Sequence, residues 1–110
     1  VDVNKITELI NAVLQIVRIH FKIEFDEKSI SYERFLTHLK FFAARVFDNT
    51  IYQDSMQEIY KVLIEQNEYV YSGVRKIVEY IEKQYSYKLT IDERLYLLIH
   101  IKRILDEQSE

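Results

Sequence analysis

Apolar residues recur at intervals of three and four along almost the whole chain, which is the pattern of amphipathic helices. The first stripe predicts a helix from about Asn4, a favourable N-terminal cap, to about Lys22. Residues 23–31 contain acidic residues and two serines and indicate a loop. A second helix is expected from about Ser31 to about Asp48, where the run Asp-Asn-Thr ends it.

Capping boxes predict the starts of two further helices. In this motif a Ser or Thr side chain and a Glu side chain three residues later bond each other's backbone amides. Residues 55–58 and 90–93 fit it, so they should open the third and the last helix. Between them the chain should bend near Asn67, and a fourth helix should run to about Tyr85. The sequence therefore predicts an all-α, compact bundle of about five helices.

Two of these helices carry features that bear on their packing. The fourth has a regular inward face of Val70, Val74, Ile77, Val78 and Ile81, and in the last helix we expect Leu95, Leu98, Ile99 and Leu105 to face inward. Gly73 lies within the fourth helix, where glycine costs roughly 1 kcal/mol relative to alanine. We interpret it as a point of close helix packing.

Composition narrows the class of protein. The length of 110 residues fits a single domain spanning residues 1–110. One Gly and no Pro disfavour turn-rich β folds and glycine-rich phosphate loops, and the absence of Cys excludes disulfides and Cys-ligated zinc. A net charge of −3 disfavours nucleic-acid binding by this chain itself, and no apolar run approaches the length of a membrane span. Because the chain does not begin with Met, we expect it to be a fragment of a longer protein.

The three histidines are the candidate chemical groups. His20 continues the apolar stripe of the first helix and is interpreted as a packing residue. Glu24 follows it by four residues, a spacing that would allow an ion pair on a helix. The sequence shows no metal-ligand pattern such as H-E-x-x-H and no glycine-flanked serine nucleophile.

His38 and His100 differ from His20 in having cationic neighbours at helical spacing: Arg34 and Arg45 for the former, Arg103 for the latter. Arginines there would pair with an added phosphoryl group and favour the neutral, nucleophilic imidazole. The residues alone leave open the alternative of two boundary histidines beside solvated cations.

Two stretches carry a family resemblance. Residues 31–45 read S-Y-E-R-F-L-T-H-L-K-F-F-A-A-R and resemble the signature R-F-x-T-H-L-K-F-F-A-x-R of the phosphotransferase-system regulation domain, or PRD. Residues 89–103 read L-T-I-D-E-R-L-Y-L-L-I-H-I-K-R and resemble its second signature, L-T-x-D-E-x-x-Y-L-T-I-H-I-x-R. The first version is typical of the second PRD of the BglG/SacY/LicT family of transcriptional antiterminators. Two departures are Ala44 in place of Gln and Leu98 in place of Thr, which should change the polarity around His100.

The resemblance implies a homodimeric regulatory domain that is not an enzyme and needs no cofactor. Its phospho-acceptors would be His38 and His100. The phosphocarrier HPr would supply the phosphoryl groups, and the sugar-specific enzyme II is a further candidate partner. Phosphorylation would alter dimerisation, and RNA would be bound only through an absent N-terminal domain. The expected location is the bacterial cytoplasm.

Three alternatives stay open: a PRD from a sugar-operon activator or virulence regulator, a passive helical dimerisation module, and a metal-binding helical domain.

Overall fold

Five helices follow one another along the described part of the computed structural model, residues 3–48 and 57–109. They are α1 (Val3–Phe21), α2 (Ile30–Asp48), α3 (Gln57–Gln66), α4 (Glu68–Tyr85) and α5 (Ile91–Gln108). The prediction of an all-α bundle of five helices is confirmed. The capping box expected at residues 55–58 begins outside the described residues. The Asp-Asn-Thr run that was expected to end the second helix also continues outside them after Asp48. None of the described helices is both long and apolar enough to cross a membrane.

Four of the helices form a closed ring around the core. Helix α1 packs against α2, α2 against α5, α5 against α4, and α4 back against α1, while α3 lies against α4 and α5. The innermost side chains come from all four helices of the ring and are fully excluded from solvent, among them Leu9, Val13, Phe35, Leu39, Ile77, Ile81 and Ile101. Helix α2 and helix α5 are therefore held side by side, each with one edge left toward solvent.

Local sequence accounts for the helix ends. Helix α1 stops where Lys22 adopts a left-handed conformation (φ 56°) and the amide of Ile23 bonds the carbonyl of Arg18. The bend near Asn67 is confirmed, and its side-chain amide donates to the carbonyl of Leu63 over 2.9 Å. At α5 the capping box is complete, since Thr90 accepts from the amide of Glu93 and the Glu93 carboxylate accepts from the amide of Thr90.

The buried face of α5 is wider than the sequence prediction. Leu95 and Leu98 are buried as expected, but Ile99 and Leu105 are only partly buried. Leu97, Ile101 and Ile104, which the prediction left out, are 0–3% exposed. The reason is that α5 packs against α2, α3 and α4, so apolar residues on more than one side of this helix are covered.

Gly73 marks the closest approach of α4 to the end of α1. A Cβ atom at this position would lie 2.4 Å from Cε2 of Phe21, whose ring is buried, and 3.3 Å from Cδ2 of His20. The inward face of α4 is buried as predicted, so neither helix has room to retreat. The interpretation of Gly73 as a close-packing residue is confirmed.

Gly73→Ala should therefore destabilise the domain even though alanine is the better helix former. We expect a loss of about 1–2 kcal/mol, because the overpacking penalty exceeds the roughly 1 kcal/mol gained in helix propensity. Urea unfolding followed by circular dichroism measures it. Gly73→Ala combined with Phe21→Leu should be less destabilised than the sum of the two single variants, and a stabilised Gly73→Ala variant would contradict the packing argument.

Candidate functional site

Helices α2 and α5 run antiparallel and meet in three cross-helix pairs. Ser31, His38 and Arg45 lie seven residues apart on α2, and their partners on α5 are Glu107, His100 and Glu93, again seven residues apart. Seven residues are two helical turns, or about 11 Å along each axis. The pairs therefore lie on one seam, with the two histidines opposite each other at its middle.

The seam is fixed at one end by a buried ion pair, which we call the clasp: Arg45 and Glu93. Nε of Arg45 donates to Oε2 of Glu93 over 3.2 Å, and the Glu93 side chain is fully buried while that of Arg45 is one-fifth exposed. The hydroxyl of Tyr87 also donates to this carboxylate over 2.8 Å, and the amide of Thr90 does so over 3.0 Å. Because a buried carboxylate needs such partners, α5 has one favourable register against α2.

Four rings interleave at the middle of the seam, in the order Phe35, His100, His38, Tyr96. Successive ring centroids are 6.1, 4.9 and 5.2 Å apart. Phe35 and His38 come from α2 at a spacing of three, and Tyr96 and His100 come from α5 at a spacing of four, so each helix supplies alternate rings. The two imidazoles lie against each other at an interplanar angle of 34°, flanked by aromatic rings.

A pocket of about 470 Å³ opens onto the two imidazoles. It is lined by Ile30, Glu33, Arg34, Thr37, His38, Phe41 and His100. Arg34 is exposed and brings a guanidinium to the pocket, which gives an anion a planar, bidentate partner. Ile30 and Phe41 are each 64% exposed and form an apolar rim.

Burial and neighbouring charge keep both imidazoles neutral. The pKa of His38 is lowered to about 4, chiefly by burial, with smaller contributions from the adjacent His100 and from Arg45. The pKa of His100 is lowered below its ordinary value, chiefly by burial, with smaller contributions from Arg103 and from Arg34. A neutral imidazole carries the free electron pair that a nucleophile needs, so at neutral pH the site has two such groups in contact.

One nitrogen of each ring has no hydrogen bond. Nε2 of His38 and Nδ1 of His100 are buried and lack a hydrogen-bond partner among the described residues. Buried polar atoms in folded proteins are paired in the great majority of cases, and exceptions concentrate where chemistry or binding uses them. Within the described part of the chain, no three His, Asp or Glu side chains are grouped so as to hold a metal ion.

The three arginines singled out from the sequence have different surroundings. Arg34 lines the pocket, and Arg103 is exposed on α5 close enough to influence His100. Arg45 is engaged with Glu93, although its charge still reaches His38. Leu98, which replaces the Thr of the second signature, is 1% exposed and belongs to the core, and the pocket is lined by other residues.

His20 lies apart from this seam, at the junction of α1 with α4. Its Nε2 is 2.8 Å from the hydroxyl oxygen of Ser72, and its ring meets that of Phe21 edge-on at 4.8 Å. These contacts fit the packing interpretation. The expected ion pair with Glu24 is wrong, because α1 ends at Phe21 and the Glu24 carboxylate instead pairs with Arg18 over 3.3 Å.

Several residues of the site were not singled out by the sequence reasoning. Glu93 was interpreted only as part of a capping box, and Phe35 and Tyr96 only as apolar or signature positions. Spacing offered a partial signal, since Tyr96 precedes His100 by one helical turn. The pairing of Arg45 with Glu93 depends on the register of two helices far apart in sequence, which spacing along one helix does not reveal.

Comparison with known proteins agrees with the resemblance. The family model described as "PRD domain" matches residues 11–104. Transcription antiterminator LicT of Bacillus subtilis is 43% identical over 96% of this chain, and the beta-glucoside operon antiterminator of Dickeya chrysanthemi is 35% identical over 99%. The chain spans 38% of the length of each of these two relatives. Protein GlcT of Staphylococcus epidermidis is 24% identical over 91% of this chain and 35% of its own length.

The clasp generates a stability prediction. Arg45→Met removes the cation that faces the buried Glu93 carboxylate, and we expect it to cost about 3 kcal/mol of unfolding free energy. Urea unfolding at pH 7 measures this cost, with the exposed Arg103→Met as a matched control that should lie within about 0.5 kcal/mol of wild type.

The double variant Arg45→Met/Glu93→Gln measures the interaction between these two side chains apart from their contacts with the rest of the protein. It should be less destabilised than the sum of the single variants, since the charge left unpaired by the first change is removed by the second. Strictly additive effects, or a cost below about 1 kcal/mol for Arg45→Met, would show that the clasp does not hold the register.

Proposed function

The chain belongs to the PRD family, and from this premise we propose that it is the regulatory domain of a transcription antiterminator that accepts phosphoryl groups on His38 and His100. The donor is the phosphorylated form of HPr, with the sugar-specific enzyme II as a second candidate donor. In this reaction the domain is the substrate, and the regulated output belongs to other parts of the full-length protein.

The observation that carries the proposal is the pair of neutral imidazoles at the pocket. Their ring centroids lie 4.9 Å apart, each ring has a buried nitrogen with no hydrogen-bond partner among the described residues, and both pKa values are lowered. A purely structural histidine would gain stability from satisfying both ring nitrogens. The arrangement therefore favours chemistry at the rings over packing alone.

The transfer needs little beyond positioning and charge neutralisation. An unprotonated ring nitrogen attacks phosphorus and forms a phosphorus–nitrogen bond, while the bond between phosphorus and the donor breaks. The donor group leaves with the electron pair and takes up the proton that the phosphorylated ring releases. Arg34, which lines the pocket, is proposed to pair with the incoming phosphoryl oxygens, and the exposed Arg103 adds positive charge near His100. Arg45 is proposed to act mainly through the clasp, which holds α5 in register.

The regulatory output is proposed to be a change in dimerisation. Ile30 and Phe41 expose 64% of their surfaces at the rim of the pocket, so a second copy of the domain that covered them would also cover the modified histidines. A phosphoryl group adds about −1.5 to −2 charges there, which changes the electrostatics of such an interface. In the full-length protein this would control the pairing of RNA-binding domains.

Similarity to two antiterminators favours that context over an activator or a virulence regulator. A passive dimerisation module is the strongest competitor from another class. It requires the same helices and the same apolar rim, but its histidines would never react.

Phosphoryl transfer can be measured directly. We expect the domain to gain phosphoryl groups when incubated with phosphoenolpyruvate, enzyme I and HPr, as detected by intact mass under alkaline conditions. His38→Gln and His100→Gln should each keep one acceptor, and the double variant should keep none. Sedimentation velocity of the same samples should show that phosphorylation changes the monomer–dimer equilibrium.

Two controls make the result specific. His20→Gln should accept phosphoryl groups as wild type does, because this ring lies at the α1–α4 junction. Arg34→Gln should slow transfer at least about tenfold while leaving stability within about 0.5 kcal/mol of wild type, because Arg34 is exposed. Full phosphorylation of the double histidine variant, or none in the wild-type domain, would refute the acceptor assignment.

A further inference from the structure

We propose that His38 and His100 act as one coupled acceptor. A phosphoryl group on either imidazole favours protonation of the other imidazole, and this protonation slows the second transfer. This inference rests on the proposed function of the pair as phosphoryl acceptors. It goes beyond that function because two independent sites would fill independently, whereas coupled sites stop preferentially at one phosphoryl group.

Contact between the rings is the geometric basis. Their centroids are 4.9 Å apart, and both residues line the same pocket of about 470 Å³. Phe35 lies on the outer side of the His100 ring and Tyr96 beside that of His38, so each imidazole has the other as its nearest titratable ring in the stack. A phosphoryl group bonded to one ring therefore lies within a few ångströms of the other, where screening by solvent is weak.

A phosphoryl group offsets the positive charge around the pair. From α2, Glu33 and Arg34 line the shared pocket and the charge of Arg45 reaches His38. From α5, the Tyr96 ring lies beside His38 and the charge of Arg103 reaches His100. In the unmodified site the arginines disfavour an imidazolium. The added charge of about −1.5 to −2 lies close to the adjacent ring and favours its imidazolium form.

The surrounding cations are less well placed than the second imidazole to balance that charge. Arg45 is already paired with Glu93, and Arg34 and Arg103 are exposed, so solvent screens them. The second ring is partly buried and in contact with the first. It takes up one proton from water and becomes the nearest counter-charge.

Protonation blocks the second transfer for a chemical reason. An imidazolium has both ring nitrogens bonded to hydrogen and has no electron pair with which to attack phosphorus. Raising the pH removes that proton, so the second transfer should accelerate with pH. The first transfer should depend less on pH, because burial and neighbouring charges lower the pKa of both rings in the unmodified domain.

The test follows the populations with zero, one and two phosphoryl groups over time. The wild-type domain, His38→Gln and His100→Gln are incubated with phosphoenolpyruvate, enzyme I and HPr, and the masses are recorded after alkaline quenching. Glutamine is neutral and cannot become cationic, so each single variant reports the uncoupled rate of its remaining site. We expect the second transfer in wild type at pH 7 to be at least about tenfold slower than the slower of the two variants, which requires at least about nine-tenths of the unmodified rings in the singly phosphorylated domain to be imidazolium at that pH.

A second readout keeps the inference testable if only one histidine reacts. Long-range ¹H–¹⁵N spectra of the singly phosphorylated wild-type domain at pH 7 report the charge of the unmodified ring, which we expect to be imidazolium. A neutral ring, or a second transfer as fast as in the slower variant, would overturn the coupling. If no variant accepts a phosphoryl group at all, the proposed function itself fails, which is a distinguishable result.

Discussion

The alignment of α2 with α5 is the constraint on which the site depends. Three cross-helix pairs at seven-residue spacing place His38 opposite His100, and the buried clasp of Arg45 and Glu93 fixes one end of that alignment. A shift of α5 by one turn would leave the Glu93 carboxylate buried without its cation and would also separate the imidazoles. One buried charge thus couples the stability of the bundle to the geometry of the pocket.

The same packing supports the proposal that the histidines accept phosphoryl groups. Each ring is partly buried between aromatic neighbours, and arginines from both helices surround the pair. Burial and positive charge both disfavour the imidazolium form, so the nucleophilic form is present without a general base. Of the arginines whose charge reaches the rings, Arg34 also lines the pocket, whereas Arg45 is engaged with Glu93.

Much of this arrangement could be predicted from the sequence, because it depends on local patterns. Apolar periodicity predicted the five helices, the pair Thr90 and Glu93 predicted the start of α5, and Gly73 indicated close packing. What escaped prediction depends on contacts between distant segments. The wide buried face of α5 arises from three neighbouring helices, and the pairing of Arg45 with Glu93 depends on their relative register.

The central claim is that packing holds His38 and His100 together as neutral nucleophiles, and histidine NMR tests it most directly. Long-range ¹H–¹⁵N spectra of the unmodified domain, recorded from pH 7.5 down to the limit of the folded state, follow the charge on each ring. The pKa of His38 should be about 4, and that of His100 should lie below the value of an exposed histidine. Protonation of both rings near pH 6.5 would show that they are separate, solvated side chains and would contradict the account.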